Sequence, residues 1–153
     1  MNGTIRGFCV AGLLAMGAVA TLDAPAEAFA RLQARQYYGN WTYNPVQRYH
    51  HRPYHYLPTV TSTVYSYHYV VYYPAQPRYY YYYNPVSRQY WGRYDLEDKG
   101  YSMLAEADRK EKLDDIPEKA FPKPAKLPAI PDATDGVAIE APPSDAPKDE
   151  PKK

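Results

Sequence analysis

Tyrosine has to build whatever core this chain forms, because the chain holds too few aliphatic side chains to build one otherwise. Residues 31–153 contain six Leu, three Ile, seven Val and one Phe, against nineteen Tyr. Aliphatic contents that low ordinarily accompany disorder. A buried tyrosine also brings a hydroxyl that needs a partner. The composition therefore predicts a mostly irregular, disordered chain without a large dry core.

The tyrosines are not spread evenly. Eighteen of the nineteen lie in residues 31–94, with seven arginines, all four histidines, no lysine and no acid. Residues 95–153 reverse the balance, setting ten basic residues, nine of them lysine, against fifteen acids. Four segments follow from this asymmetry: a signal peptide over 1–30, a basic Tyr/Arg/His-rich segment over 31–94, a linker with one short helix over 95–116, and an acidic proline-rich tail over 117–153.

The first segment reads as an export signal helix that is cleaved. Arg6 precedes the charge-free residues 7–20, and Ala24-Pro25-Ala26-Glu27-Ala28-Phe29-Ala30 offers two A-x-A sites, so cleavage is expected after Ala28 or Ala30. The apolar run is shorter than the roughly 20 residues that span a bilayer, so no transmembrane segment is expected after removal. Cys9, the one cysteine, leaves with the signal. Disulfides and thiolate chemistry are thereby excluded from the mature chain.

Within 31–94, Tyr43-Asn44-Pro45-Val46-Gln47-Arg48 returns as Tyr83-Asn84-Pro85-Val86-Ser87-Arg88. Asn-Pro between β-prone tyrosines reads as a hairpin turn. Residues 59–73 are dense in Thr, Val and Tyr and predict a strand, followed by strands over 78–83 and 88–94. The expectation is a small antiparallel β-meander over about 60–94. Consecutive tyrosines put rings on both faces, so Tyr79, Tyr80, Tyr81, Tyr82, Tyr83 and Trp91 are expected to form an exposed interaction surface. Further on, Ser102 can cap a short helix over about 103–115, supported by Glu106/Lys110 and Asp108/Lys112 pairs and ended by Pro117. Its apolar face is poor, with Leu104 and Leu113 on nearly opposite sides. Nine prolines from Pro117 to Pro151 predict a disordered, extended tail that acts as a solvated spacer.

Three chemistries are open to these residues. His50, His51 and His55, with His68 beyond, form the one cluster of metal-ligating type, suited to copper, zinc or nickel. Arginine among tyrosine suits a polyanion, which for an exported protein means acidic polysaccharide or lipid headgroups, and no nucleic acid is expected. The same arginines also serve simply to keep an aromatic segment soluble. Catalysis has no footing, because residues 31–94 hold no carboxylate to orient a histidine and no Gly-rich phosphate loop exists. No cofactor is expected.

Tyr90-Trp91-Gly92-Arg93-Tyr94-Asp95, Lys99-Gly100-Tyr101-Ser102 and Asp115-Ile116-Pro117-Glu118 resemble small uncharacterised secreted Tyr/Pro-rich proteins of the planctomycete type. That resemblance implies export and carries no activity with it. The sequence thus leads to a non-enzymatic exported protein of the periplasm, envelope or extracellular space, associating with itself, an envelope polymer or another envelope protein. The alternative is a metal- or small-ligand-binding protein using His50, His51, His55 and neighbouring tyrosines.

Overall fold

The computed structural model describes residues 34–147, so the expected signal and its cleavage positions lie outside the described residues. Seven antiparallel strands follow in order: β1 (Gln36–Tyr38), β2 (Thr42–Asn44), β3 (Tyr49–Tyr56), β4 (Ser66–Tyr72), β5 (Tyr79–Asn84), β6 (Gln89–Asp95) and β7 (Gly100–Met103). They form one sheet in the order β1-β3-β4-β5-β6-β7, with β2 extending β1's side of β3. The expectation of a mostly irregular chain is therefore corrected. The predicted meander is real, but it is the middle of a sheet that runs from residue 36 to residue 103.

One local reading fails for an identifiable reason, and one strand lies where none was expected. Residues 59–64 are not strand, because hydroxyl side chains capture the backbone. Ser62 Oγ accepts from the Thr59 N–H at 3.2 Å, and Ser62 N–H donates to the Thr59 carbonyl at 3.2 Å. Such local bonds offer the chain an alternative to a ladder. Conversely, His50-His51-Arg52-Pro53 lies inside β3, an inner strand where proline is normally excluded. Pro53 is tolerated because its missing N–H falls in the gap between β1 and β2. There its carbonyl accepts from Gly39 N–H at 2.8 Å. Gly39 is required at this point, since a Cβ would sit 2.7 Å from the Pro53 ring.

The two Asn-Pro hairpin turns were legible, and a third turn of the same construction follows them. Asn44 Oδ1 accepts from the N–H of Val46 and Gln47, and Asn84 Oδ1 from Val86 and Ser87, at 2.9–3.2 Å. Asp95 Oδ1 does the same for Glu97 and Asp98 at 2.9 and 3.0 Å. Each loop closes on a left-handed residue: Arg48 at φ 55°, Arg88 at 56° and Lys99 at 54°. Tyr94-Asp95-Leu96-Glu97-Asp98-Lys99 is thus a third copy of the motif, with Asp for Asn and no proline.

Strand alternation sorts the aromatics onto two faces. The first face buries Tyr54, Tyr56, Val70, Tyr72, Tyr80, Tyr82, Trp91, Tyr94 and Tyr101. The second buries Val71, Tyr81 and Tyr90. A bulge between Tyr82 and Tyr83 adds Trp91 to the first face beside the bare Gly92, which opposes Tyr82. The Trp91 ring then packs 4.8 Å from Tyr82. The residues expected to form an exposed surface are therefore core: Tyr80, Tyr81, Tyr82 and Trp91 are buried and Tyr79 and Tyr83 half-buried.

What covers these faces is the remainder of the chain. No helix spans 103–115. Met103 closes β7, Ser102 is buried within it, and only single 3-10 turns follow at Glu106–Asp108, Leu113–Asp115 and Glu118–Ala120. A helix would have pointed Leu104 and Leu113 apart. The irregular path instead sets Leu104, Leu113, Ile116 and Phe121 together on the second face. Ala125 then pairs with Tyr101 at the β7 edge, with N–H···O distances of 3.0 and 2.8 Å. The approach is close enough that a Cβ on Gly100 would lie 2.8 Å from Pro124. Past this point the tail lies on the first face, burying Ile130 and Ile139 and packing Ala133, Val137 and Ala146. The expectation of a disordered, solvated tail is overturned as far as Pro147.

The charge asymmetry of the two halves is satisfied internally. Arg35 pairs with Asp135 at 2.6 Å, Arg52 with Asp145 at 2.9 Å and Arg93 with Glu118 at 2.5 Å. Arg78 binds Asp95, Glu97 and Asp98 at 2.7–3.1 Å, and Arg88 binds Glu111. The acidic half closes on the basic half.

Candidate functional site

Residues 104–121 shield the β5–β6 side of the second face, and among the described residues the β1–β3–β4 side is left as an open aromatic strip. Alternation on β3 brings Tyr49, His51 and His55 to this side, β4 adds Tyr67 and Tyr69, and β1 adds Tyr37. Tyr65, from the loop before β4, closes one end. The rings touch in sequence. Tyr37 stacks on His55 at 4.6 Å and meets Tyr65 edge-on at 5.0 Å. His55 lies 6.0 Å from Tyr67, which lies 5.5 Å from Tyr69. His51 continues the line 5.5 Å from Tyr69 and 5.8 Å from Tyr49, and Tyr49 meets Tyr73 at 5.4 Å. Tyr37 and Tyr67 remain 42 % and 43 % exposed.

At its β5–β6 end the strip deepens into a cleft of about 770 Å³. Tyr49, His51, Tyr69, Tyr73, Tyr83 and Tyr90 line it over a floor of Val71, and residues 111–114 form one wall. The Tyr73 and Tyr90 hydroxyls meet at 3.3 Å within it. Burial lowers the affinity of His51 and His55 for a proton, and burial raises the Tyr69, Tyr73 and Tyr90 hydroxyls above the usual phenol value. The strip carries no carboxylate, lysine or arginine and offers rings with polar rims, while the cleft wall brings Glu111, Lys112 and Asp114.

The three histidines singled out as metal ligands are not brought together. His50 is buried on the first face beside Tyr43 and Tyr72, opposite His51 and His55. His51 and His55 share a face but stand four residues apart, about 13 Å along a strand. Among the described residues no group of three or more His, Cys, Asp or Glu is placed to hold a metal ion. Five arginines of the basic half, Arg35, Arg52, Arg78, Arg88 and Arg93, are paired with the chain's own acids. What sequence reasoning missed is Tyr37, Tyr65, Tyr67 and Tyr69 as partners of His51 and His55. The period-two spacing of His51/His55 and Tyr67/Tyr69 was the available signal, once both segments are read as strands.

His68 has a different role. It is buried on the first face, 5.2 Å from the Tyr56 ring and 5.8 Å from Trp91, with its Nε2 3.3 Å from the Asp132 carboxylate. Burial pulls its pKa down to about 4, against the opposing pull of Asp132. Native His68 thus stays neutral while an unfolded His68 protonates near 6.5, so the unfolded chain binds the extra proton between those values. The stability this contributes is fully present above about pH 6.5 and is lost as pH falls toward 4, by roughly 3 kcal/mol. Urea unfolding across this range should show that loss, and a His68→Gln chain should show a flatter profile. Asp95 and Glu118, whose arginine partners hold them below the usual carboxylate range, add their own losses only at lower pH.

Among the described residues no helix is long and apolar enough to cross a membrane. No protein family, curated protein or solved structure matches this chain.

Proposed function

We propose that this chain is a non-enzymatic exported protein of the cell envelope or extracellular space that grips an uncharged polysaccharide along the aromatic strip. The observation behind this reading is the unbroken line of half-exposed rings from Tyr65 to Tyr73, running into the cleft. Sugar rings offer apolar C–H faces bordered by hydroxyls, and tyrosine offers the same combination. An extended strip suits a polymer, whereas a closed pocket would suit a single small molecule. The absence of carboxylate, lysine and arginine from the strip and the internal pairing of those five arginines favour a neutral glycan over the acidic polysaccharide that composition alone suggested. Export, and kinship with secreted Tyr/Pro-rich proteins, belong to the same proposal and rest on the sequence of residues 1–30 and 90–118.

Binding to neutral glycans such as cellulose, chitin and β-glucan, with alginate as the acidic control, tests it. Replacing Tyr67 and Tyr69 together with Ala removes two stacking rings at about 1 kcal/mol each, so affinity should fall about tenfold or more. Tyr67 is exposed and Tyr69 packs only at the margin of the second-face core, so the melting temperature should fall by a few degrees at most, with circular dichroism confirming that the double variant is folded. Binding of alginate in preference to the neutral glycans, or no loss in the double variant, would sink the reading. A small ligand seated in the cleft is the second reading, favoured by the cleft's own volume. It predicts that Tyr73→Ala abolishes binding while Tyr67→Ala, which lies outside the cleft, has no effect.

A further inference from the structure

The far end of the described chain lies on the first face as a proline-rich ligand lies in its receptor. Trp41, Tyr72 and Tyr80 form an aromatic groove, with Trp41 5.4 Å from Tyr80 and 6.1 Å from Tyr72. The buried Arg52 guanidinium stacks 4.4 Å over Trp41 and 4.9 Å over Tyr38. Residues 141–146, Ala-Pro-Pro-Ser-Asp-Ala, fill this groove without joining a helix or strand.

The bonds that hold them read an extended backbone and one acid. Trp41 Nε1 donates to the Asp145 carbonyl at 3.1 Å, Tyr80 hydroxyl to the Pro143 carbonyl at 3.4 Å, and Tyr38 hydroxyl to the Glu140 carbonyl at 2.8 Å. Arg52 Nη1 donates to both Asp145 carboxylate oxygens at 2.9 and 3.0 Å. Pro142 is buried. Aromatic grooves whose indole and phenol donors meet carbonyls are a recurrent means of reading proline-rich segments. Successive prolines preset the ligand's backbone, since each fixes its own φ and restricts the residue before it. Beyond Ile139 the segment has no Leu, Ile, Val, Met or aromatic side chain, and the Asp145 side chain stays 56 % exposed. Its docking rests on these few groups.

We propose that this groove is a recognition site for a proline-rich acidic peptide, filled within one chain by residues 141–146 and filled in an oligomer by the same residues of a second copy. Exchange keeps every contact and creates none, so it costs little beyond the loss of the tether. The chain then links to its neighbour through a surface remote from the aromatic strip, and the inference does not depend on what that strip binds.

The test uses the full chain and a fluorescently labelled peptide of residues 140–147, read by anisotropy. In the wild type the tethered segment competes with the peptide. Asp145→Ala weakens that competitor without altering the groove, so the peptide should bind at least about tenfold tighter than to the wild type. Adding Trp41→Phe keeps a ring but removes the donor, and should reverse most of that gain, with near-ultraviolet circular dichroism confirming that both variants are folded. Native mass spectrometry of concentrated wild-type protein should show dimers that excess peptide dissolves. No gain with Asp145→Ala, indifference to Trp41→Phe, or dimers that persist in saturating peptide would overturn the proposal.

Discussion

Ending the chain after Pro124 should abolish the cooperative thermal transition and the near-ultraviolet circular dichroism of the sheet. This outcome is the opposite of what a solvated spacer predicts. The missing segment supplies Ile130 and Ile139, both completely buried against the tyrosines of the first face. Burying one such side chain stabilises by roughly 1.5–3 kcal/mol. Its departure also uncovers Tyr54, Tyr56, Tyr80 and Tyr82, removes the acids facing Arg35, Arg52 and His68, and takes away the carbonyls that accept from Tyr38 and Tyr80. Set against a total stability of about 5–15 kcal/mol, the sum is large enough to unfold the domain. Ile139→Ala alone should cost about 2–5 kcal/mol in urea unfolding. A truncated chain that kept the wild-type transition would show that the tail rests on the sheet without supporting it.

Trp91→Ala should lower stability by about 3–5 kcal/mol, and Trp91→Phe by much less. The Trp91 ring fills the space beside Gly92 and touches Tyr82, His68 and Tyr101, at ring distances of 4.8, 5.8 and 6.5 Å. The Ala variant leaves a cavity that the rigid sheet cannot close. The Phe variant keeps a ring there, and it forfeits no hydrogen bond, because the buried indole N–H has no acceptor among the described residues. Chemical denaturation of the two variants separates packing from hydrogen bonding. Equal losses would mean that the bulge, not the ring volume, carries the effect.

Removing hydroxyls tells a different story from removing rings. Tyr82 bonds the hydroxyls of both Tyr38, at 3.0 Å, and Tyr101. Burial pushes the Tyr38 hydroxyl up to about 12 and the other two well above the ordinary phenol value. The network therefore stays protonated at any physiological pH. In this way a tyrosine core avoids the penalty of unpaired buried hydroxyls. Tyr54 donates to Gln36 at 2.6 Å, Tyr81 to Gln76 at 2.9 Å and Tyr80 to the Pro143 carbonyl at 3.4 Å.

The features that depend on near neighbours were legible in the residue order. Asn44-Pro45 and Asn84-Pro85 specify their turns, because an Asn side chain and a proline ring act within three or four positions. Runs of tyrosine and valine on either side then specify strands. The third turn, at Asp95, has the same geometry, but no proline marks it. Alternation was equally available for β3, and it alone separates His50 from His51 and His55. It was hidden because Pro53 argues against an inner strand until Gly39 and the gap between β1 and β2 are seen.

What only the tertiary structure decided is where each excess goes. In sequence, the basic tyrosine-rich half lacks partners and the acidic proline-rich half lacks a core. Neither half can fold on its own account, which is why composition points to disorder. Folded, residues 104–147 pass over both faces of the sheet. Their few aliphatic groups reach the tyrosine rings, their carbonyls accept the hydroxyls, and their acids meet the arginines. These pairings join residues as far as 104 positions apart, such as Trp41 with Asp145. Burial and ion pairing at that separation depend on the shape of the finished sheet, and no local propensity encodes it. The sequence by itself determined that tyrosine would be the core material and where most of the turns lie. The tertiary structure decided which tyrosines close into that core and which remain open as the strip from Tyr65 to Tyr73.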